Sequence, residues 1–253
     1  MRSVVIIPAR YASTRYPGKP LVHLLGKPLI LWVAELSSRA VTQENVYIAT
    51  EDERIFKTVI EAGFKAVMTS DKALTGTDRL AQAAEQIDAD IYINVQGDEP
   101  LVDPEDILKV RDAKIAKMDS VINGFSWVGA DEDPNSVNIP KVITTENNQL
   151  VYMSRVALPG YKEAKEAPVR YKKQVCIYAF TKKELQVFNG FGRKSELEKS
   201  EDIEILRFLE LGKPIYLVET RPGSLAVDVP NDVTKVEEAL KLLRCKRKDV
   251  QSN

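Results

Sequence analysis

The chain has 253 residues, of which 44% are hydrophobic and 29% charged, and its formal net charge is -1. This size and apolar content suit one large folded domain. A near-neutral charge argues against a nucleic-acid or membrane-surface binder, which would carry a basic excess. The only cysteines, Cys176 and Cys245, lack metal-ligand spacing, so neither a zinc site nor a disulfide framework is indicated. No signal peptide or membrane-spanning run is recognisable, and we expect a cytoplasmic protein.

Apolar runs of strand length alternate with segments of helical period through the first half. The predicted strands are residues 4–7, 46–50, 65–68 and 91–96. The predicted helices lie between them, at residues 27–40, from about residue 50, and at 77–87. This alternation is typical of a parallel sheet with crossover helices. Ligands of such sheets bind beyond the carboxyl ends of the strands, which here means the loops at residues 8–20, 69–79 and 96–102.

The second of these helices has a recognisable start and buried face. Thr50 and Glu53 have capping-box spacing, which predicts that the helix begins there. Ile55, Val59 and Ile60 would then form its buried side.

The pattern changes after about residue 120. Strands are predicted at residues 120–128, 140–145, 174–180 and 215–220, and helices at 201–211 and 231–243. We interpret residues 130–200 as an excursion that covers the ligand site, builds a dimer interface, or does both. Residues 244–253 are expected to form a solvated basic tail. The prediction is a single α/β domain over residues 1–253: a Rossmann-like, mostly parallel twisted sheet flanked by helices, with a smaller mixed or antiparallel excursion.

The loop after the first strand, PARYASTRYPGKP, carries three cations and no carboxylate. These are Arg10, Arg15 and Lys19, and the first acidic residue of the chain is Glu35. Arg, Lys and backbone N–H groups are the usual ligands of phosphate. The loop matches neither GxGxxG nor the Walker pattern, since Gly18 is its only glycine. A solvated surface loop is the alternative, but the position after a strand favours an anion site.

A carboxylate pair follows the strand near residue 95. There Gln96 ends the strand, Gly97 allows a turn, and Asp98 and Glu99 lie at its carboxyl edge. Such a carboxylate can anchor a Mg²⁺ ion that carries nucleotide phosphates. The alternative is an ordinary turn.

The stretch LTGTDRLAQA predicts the start of a helix and has an arginine in the first turn of that helix. Thr75, Gly76 and Thr77 can cap the helix, whereas Arg79 lies where the helix dipole is already positive. A cation in that position needs a partner, such as a phosphate, a carboxylate or a base carbonyl.

A last candidate carboxylate lies in the stretch SLAVDVPNDV. Asp228 precedes Pro230 and is either a helix cap or the second carboxylate of a metal site with Asp98. The only histidine, His23, lies in an apolar setting, and no nucleophile constellation is visible. Nucleotidyl transfer needs charge neutralisation and positioning more than a protein nucleophile, so cations and magnesium can suffice.

These stretches resemble the 3-deoxy-manno-octulosonate (Kdo) cytidylyltransferases over nearly the whole chain. The resemblance rests on IIPARYASTRYPGKPL, VYIATED, MTSDKALTGTDRLA, INVQGDEPLV, YMSRVALP and VDVP. It implies transfer of CMP from CTP to the anomeric hydroxyl of a 3-deoxy-2-keto sugar acid, with release of pyrophosphate. It also implies Mg²⁺ as cofactor and a homodimer.

The resemblance assigns roles to individual residues. The catalytic residues would be Arg10, Arg15, Lys19 and Asp98. The nucleotide would contact Pro8, Ala9, Arg10, Lys19, Thr75, Gly76, Thr77, Arg79 and Gln96. The sugar acid would contact Arg15, Gln96, Arg155, Gln174, Tyr178 and Glu204, with Arg155 as partner of its carboxylate. The metal would be held by Asp98 and Asp228.

The chain departs from the family pattern on the acceptor side. Gln174 stands where the family has a histidine, Cys176 where it has a glycine, and Ile205 where it has a glutamine. The segment 134–143 also looks longer. A site that loses a hydrogen-bonding amide changes its preference among hydroxylated ligands. We therefore expect as acceptor either Kdo or an amino, deoxy or otherwise modified 2-keto-3-deoxy acid.

Two other functions stay open at this level. One is a nucleotidyltransferase for a sugar phosphate or a phosphonate. The other is a nucleotide-binding relative without turnover, against which the intact Asp98 and Asp228 argue.

Overall fold

The computed structural model describes residues 1–13, 15–222 and 225–251, and for residues 244–251 it describes the backbone alone. The strands are β1 Ser3–Pro8, β2 His23–Leu24, β3 Lys27–Pro28, β4 Val46–Thr50, β5 Lys65–Met68, β6 Ile91–Val95, β7 Val121–Trp127, β8 Lys141–Thr144, β9 Leu150–Ser154, β10 Lys172–Phe180 and β11 Ile215–Glu219. The helices are α1 Leu29–Val41, α2 Glu53–Glu61, α3 Gly76–Ala84, α4 Pro104–Ala116, α5 Lys182–Gly190, α6 Glu196–Glu201, α7 Leu206–Glu210 and α8 Asp232–Gln251. A single 3-10 turn, Lys19–Leu21, lies in the basic loop.

One large sheet organises the chain, in the strand order β11-β7-β10-β6-β1-β4-β5. β1 runs parallel to both β4 and β6, and β5 runs parallel to β4. β10 is antiparallel to its neighbours β6 and β7, and β8 and β9 extend from it as a further antiparallel pair. The predicted α/β class, mostly parallel with a smaller antiparallel part, is confirmed.

The central strands are buried on both faces because helices cover both sides of the sheet. Val4, Val5, Ile6 and Ile7 of β1 have no exposed surface. Val4 and Ile6 belong to one apolar cluster, and Val5 and Ile7 belong to another on the opposite face. β1 is therefore a rigid support for the basic loop that follows it.

Helix α2 begins differently from the prediction. Asp52 is its N-cap, and the Asp52 carboxylate accepts the backbone N–H groups of Arg54 and Ile55. Thr50 cannot serve, because it remains in β4 and pairs there with Met68.

The buried face of α2 is also narrower than predicted. Ile55 and Val59, one helical turn apart, are fully buried, whereas Ile60 is 47% exposed. Residue 60 lies about 100° around the helix from Val59, which takes its side chain away from the sheet.

The C-terminal part also differs from the predicted elements. The helix expected at residues 201–211 is shorter, because only α7 at Leu206–Glu210 lies within that range. α6 ends at Glu201, and Asp202 follows it in the left-handed region at φ 49°. Helix α8 continues to Gln251, so the backbone at 244–251 is helical where a tail was predicted, and residues 252–253 lie outside the described residues. Within the described ranges, no helix is long and apolar enough to cross a membrane.

Candidate active site

The carboxyl ends of β1 and β6 open into one cleft. The chain leaves β1 at Pro8 into the basic loop and leaves β6 through Gln96 and Gly97. A Cβ at Gly97 would lie 2.9 Å from the Pro8 carbonyl oxygen, so only glycine permits this approach of the two chains. The turn that carries Asp98 is thereby held against the start of the basic loop.

Two cations and two carboxylates converge at this edge. The Lys19 Nζ lies 2.5 Å from Asp98 Oδ2 and 3.6 Å from Asp228 Oδ1. The Arg15 Nη2 lies 3.3 Å from the same Asp228 oxygen. The backbone N–H of Val227 donates to the Asp98 carbonyl at 2.9 Å, which fixes the segment 227–228 beside the turn. Three separate stretches of sequence thus form one cluster, which we call the edge cluster: Arg15, Lys19, Asp98 and Asp228.

Asp228 contributes its carboxylate to this cluster rather than to the start of α8. Its own backbone N–H donates to Asp232 Oδ2 at 2.8 Å, and so does that of Val229 at 2.9 Å. Asp232 thus organises the turn before the helix. The Asp228 side chain is left facing Lys19 and Arg15.

The donor set of the edge cluster fits a hard divalent cation. Mg²⁺ prefers oxygen ligands and takes one or two carboxylates together with water and substrate phosphates. In the part of the chain that the structure describes, no group of three or more His, Cys, Asp or Glu side chains could hold a metal ion. A cation at Asp98 and Asp228 would therefore need further oxygen ligands from a substrate.

Arg79 finds a carboxylate partner, one of the three kinds that its position predicted. Its Nη2 lies 2.9 Å from Glu51 Oε2, and its Nη1 donates to Thr69 Oγ1 at 2.6 Å. Glu51 also accepts the backbone N–H of Tyr11 at 2.8 Å. Burial lowers the pKa of Arg79, the Glu51 carboxylate raises it, and the charge of Arg10 lowers it. Glu51 was not among the predicted site residues, although it follows β4 at the same sheet edge.

Two residues at the start of the basic loop differ in what they offer a ligand. The Ala9 N–H donates to Ala49 O at 2.9 Å, so it extends the pairing of β1 with β4 and is not directed at a nucleotide. Arg10 is exposed next to Arg79. Of the Arg10 and Arg79 guanidinium groups, only that of Arg10 can be reached from solvent by a phosphate or a base.

The N-terminus of α3 lies on the other side of the cleft. Thr75 caps the helix, since its hydroxyl oxygen accepts the Asp78 N–H at 3.2 Å. The Glu204 carboxylate accepts the Thr77 N–H at 3.0 Å. Burial raises the pKa of Glu204, while the hydrogen bonds from Thr77 and Thr75 lower it.

Gly76 marks the point where this helix end meets the sheet edge. A Cβ there would lie 3.4 Å from Pro8 Cγ, 3.7 Å from Glu204 Oε2 and 3.8 Å from Gln96 Nε2. Glu204 and Gln96, both predicted to face the sugar acid, are therefore neighbours. Both lie beside the predicted nucleotide residues Pro8 and Gly76.

A β-bulge in β10 shapes the remaining wall. Val175 pairs with Gly124 of β7, but Tyr178 pairs with Asn123, so two residues of β10 are inserted between them. The Asn123 amide donates to the Val175 carbonyl at 2.8 Å and to the Ile177 carbonyl at 3.1 Å, which satisfies groups that the bulge removes from the ladder. Bulges are frequent next to active sites because they redirect side chains.

The bulge brings Gln174 and Tyr178 together. The Gln174 Nε2 donates to the Tyr178 hydroxyl at 3.1 Å and lies 3.3 Å from Asn123 Oδ1. Asn123 was not predicted; a polar side chain in the middle of an apolar strand is the signal that could have found it. Burial keeps the pKa of Tyr178 well above its usual range. Amide and hydroxyl groups therefore line this wall without charge.

Cys176 lies at the bulge, among carboxylates. Burial raises the pKa of its thiol, and the charges of Glu99, Glu204 and Asp98 raise it further. Of these three carboxylates, Asp98 is paired with Lys19, and Glu204 accepts the Thr77 N–H.

Arg155 differs from the prediction. Its guanidinium donates to the carbonyls of Val137 at 2.7 Å and Asp202 at 3.0 Å, and also to the Glu201 carbonyl. Three of its five N–H donors are thus used by the backbone. The side chain ties the end of β9 to the turn after α6, and this geometry gives no support to a role as partner of a sugar carboxylate.

Ile205 differs as well. Its side chain has no exposed surface and lies in the apolar cluster with Leu80 and Phe208. It cannot touch a ligand in this conformation. The departure from the family at this position is therefore a change in the core.

A buried charged cluster that the sequence did not reveal supports the acceptor side. Arg207 Nη1 lies 2.7 Å from Asp78 Oδ1, and Arg207 Nη2 lies 2.7 Å from Glu198 Oε1. The side-chain exposures are 0% for Arg207, 6% for Asp78 and 1% for Glu198. We call these three residues the buried triad. It binds α7, and with it Glu204, to the first turn of α3.

Comparison with known proteins places this geometry in a family. The family model described as cytidylyltransferase matches residues 4–215. The chain belongs to the cytidylyltransferase family.

Curated relatives in the family carry two different names. The 8-amino-3,8-dideoxy-manno-octulosonate cytidylyltransferase of Shewanella baltica (strain OS185) is 38% identical over 248 residues, which cover 95% of this chain and 99% of that protein. The 3-deoxy-manno-octulosonate cytidylyltransferase of Trichlorobacter lovleyi is 39% identical over 251 residues, with coverage of 95% and 99%.

Solved structures agree with the fold. A CMP:2-keto-3-deoxy-manno-octonic acid synthetase, complexed with CTP, superposes with a TM-score of 0.89 at 34% identity and covers 96% of this chain and 99% of its own. The inositol-1-phosphate CTP transferase of T. maritima has a TM-score of 0.68 at 17% identity and covers 94% of each chain, which is a likeness of fold alone.

Proposed function

We propose that this cytidylyltransferase transfers CMP from CTP to the anomeric hydroxyl of a 3-deoxy-2-keto octulosonate in a Mg²⁺-dependent reaction. We further propose that the 8-amino-3,8-dideoxy acid is its preferred acceptor. The observation that carries the proposal is the edge cluster, in which Lys19 and Arg15 meet Asp98 and Asp228 where two parallel strands end.

The nucleotide side supplies charge neutralisation. Arg10, Arg15 and Lys19 would bind the triphosphate, and Asp98 and Asp228 would hold Mg²⁺. When bound, the metal supplies charge stabilisation at the transferred phosphate. The acceptor hydroxyl oxygen forms a bond to the α-phosphorus while the bond from this phosphorus to the bridging oxygen breaks. Pyrophosphate leaves, and the hydroxyl proton passes to solvent.

The acceptor side supplies position and selectivity. Gln96, Gln174 and Glu204 offer amide and carboxylate groups to a polyhydroxylated acid. The buried Tyr178 hydroxyl accepts the Gln174 N–H and so positions that amide. The Glu204 carboxylate, which lies beside Gln96 at the Gly76 end of α3, favours a ligand with an ammonium group, since complementary charge selects between otherwise similar ligands. The Shewanella baltica relative is named for an amino acceptor.

Kdo itself is the second candidate acceptor. The relative from Trichlorobacter lovleyi, named for that acid, is as similar to this chain as the Shewanella baltica relative is.

Rates of pyrophosphate release with CTP and single acceptors separate the candidates. We expect a kcat/KM at least about tenfold higher for the 8-amino acid than for Kdo at pH 7. Equal or higher values for Kdo would reject the preferred acceptor. Release only with a sugar phosphate or a phosphonate would reject the octulosonate class.

A variant pair tests the role of the Glu204 carboxylate. E204Q keeps an oxygen for the Thr77 N–H but removes the charge. The preference for the 8-amino-3,8-dideoxy acceptor over Kdo should therefore become smaller. E196Q, on the exposed side of α6, is the matched control and should keep the preference, because the Glu196 side chain is 83% exposed. An unchanged preference in E204Q would contradict the assignment.

We also propose that the enzyme is cytoplasmic and forms a homodimer through the excursion at residues 130–200. Five large apolar side chains of this segment are more than half exposed: Val137 at 63%, Val151 at 52%, Val156 at 67%, Tyr161 at 54% and Val169 at 102%. Apolar groups gathered in one surface segment favour a subunit interface. Light scattering after size-exclusion chromatography should give twice the mass of the chain, and a mass of one chain would contradict the dimer.

A further inference from the structure

The side-chain charges of the edge cluster sum to zero without a metal ion. Two carboxylates, Asp98 and Asp228, face two cations, Lys19 and Arg15. The Lys19 ammonium approaches an oxygen of each carboxylate, at 2.5 Å and 3.6 Å. It lies where a cation shared by these carboxylates would lie. A divalent ion that enters alone would meet a neutral cluster and the repulsion of the ammonium.

The two cations hold the carboxylates to different degrees. The side chains of Lys19 and Asp98 are 15% and 26% exposed, whereas those of Arg15 and Asp228 are 65% and 46% exposed. An exposed pair is weakened by water and salt, and a shielded pair is weakened less. Lys19 is therefore the dominant counterion of the site.

Hydrogen bonds hold the backbone around Lys19: the Gly18 N–H donates to the Tyr11 carbonyl and the Leu21 N–H to the Gly18 carbonyl, both at 2.9 Å. Gly18 adopts a left-handed conformation at φ 70°, and a Cβ there would lie 3.1 Å from the Tyr11 ring. The 3-10 turn Lys19–Leu21 follows directly. The four-carbon stem of a lysine can direct its ammonium to more than one partner from one backbone position. A triphosphate bound in the basic loop offers such a partner, of greater negative charge than Asp98.

We propose that Lys19 is a resident counterion that keeps the metal site closed in the free enzyme and transfers to the triphosphate when the nucleotide binds. The metal then enters with the nucleotide rather than before it. By linkage, nucleotide and metal each raise the affinity of the enzyme for the other. This inference rests on the proposed metal site at Asp98 and Asp228.

The experiment measures Mn²⁺ binding by the loss of its free electron paramagnetic resonance signal, with no acceptor present. K19M keeps most of the side-chain volume and removes the charge. We expect K19M to bind Mn²⁺ alone at least about tenfold more tightly than the wild type, because one repelling charge is removed. Added CTP should tighten Mn²⁺ binding by the wild type more than by K19M.

K27M is the matched control. Lys27 forms a similar contact with Glu35, also at 2.5 Å, and neither residue belongs to the edge cluster. It should leave Mn²⁺ binding unchanged. Thermal unfolding of both variants shows whether they are folded. Should K19M not fold, equal Mn²⁺ affinity of the wild type with and without CTP would still overturn the inference.

A further variant separates failure of this inference from failure of the proposed metal site. If K19M binds Mn²⁺ no better than the wild type while D98N weakens Mn²⁺ binding in the presence of CTP, the counterion role is wrong and the metal site stands. If D98N leaves Mn²⁺ binding with CTP unchanged, both are wrong.

Discussion

The edge cluster and the buried triad are built from the same kinds of side chain and differ in burial. In the edge cluster the exposed fractions of the side chains range from 15% for Lys19 to 65% for Arg15. In the buried triad Arg207 and Glu198 are at most 1% exposed. An exposed pair such as Arg15–Asp228 contributes about 0 to 1 kcal/mol, and the partly shielded Lys19–Asp98 pair is weakened less by water. Breaking a buried pair costs several times as much.

This difference assigns the two clusters to different tasks. The charges to which we assign the nucleotide and the proposed metal lie closer to solvent. The charges that hold Glu204 against the start of α3 are shielded. Substitutions in the edge cluster should therefore change activity with little effect on stability. Substitutions in the buried triad should lower stability before they change activity.

The largest effect is expected for D98N. The amide has the shape of the carboxylate but not its charge, so kcat/KM for CMP transfer should fall by at least about 10³-fold, which corresponds to about 4 kcal/mol. The melting temperature should stay within about 2 °C of the wild type. D112N, at an exposed aspartate of α4, should keep full activity. Retained activity in D98N would remove Asp98 from the mechanism.

R207M should lower stability more than activity, the opposite of D98N. It leaves Asp78 and Glu198 buried without their cation, which should lower the free energy of unfolding by about 3 kcal/mol or more, measured by denaturant titration. R193M is the control, since Arg193 is 61% exposed and 3.9 Å from Glu196, and it should change stability by less than about 0.5 kcal/mol. Equal stabilities of the two variants would show that the triad does not hold the acceptor side.

G97A tests the close approach of the two loops. A methyl group 2.9 Å from the Pro8 carbonyl forces a shift of the turn, which should cost about 1 to 3 kcal/mol of stability and displace Asp98. G190A, where nothing lies within 4 Å of the added Cβ, should be neutral or stabilising by up to about 1 kcal/mol. Thermal unfolding and CMP transfer assays compare the two. A fully active and stable G97A would contradict the proposed contact.

The smallest effect is a pH dependence of stability at Glu204. Its pKa is raised in the folded state, so the folded protein binds the proton more tightly than the unfolded chain. The contribution of this group to stability is therefore present below the unfolded pKa and is lost as the pH rises through the folded pKa. E204Q removes this decrease in stability at higher pH. Its melting temperature, relative to the wild type, should be higher at pH 8 than at pH 4; the reverse trend would contradict the raised pKa.

The parts of the site that could be predicted follow strands. Lys19 and Asp98 come after β1 and β6, which are adjacent parallel strands, so their loops had to share one edge of the sheet. The chemical types of the side chains then indicated phosphate and metal. The strand bounds were predictable for the same reason, because continuous apolar runs of this length are typical of buried parallel strands.

The parts that could not be predicted depend on contacts between distant residues. Arg207 meets Asp78 across 129 positions of the chain, and Arg155 meets the Asp202 carbonyl across 47. No local pattern encodes such pairings. Ile205 lies next to a five-residue helix, too short for a periodicity to show which face is buried. A β-bulge likewise leaves no sequence signal stronger than the isolated Asn123 in β7.

A crystal structure with CTP, Mn²⁺ and a 2-deoxy acceptor analogue, which lacks the attacking hydroxyl, tests the central claim most directly. The account predicts anomalous scattering from Mn²⁺ bound by Asp98 and Asp228, with the Lys19 ammonium on the triphosphate and the acceptor beside Gln174, Tyr178 and Glu204. A metal bound elsewhere, with Lys19 still on Asp98, would contradict it.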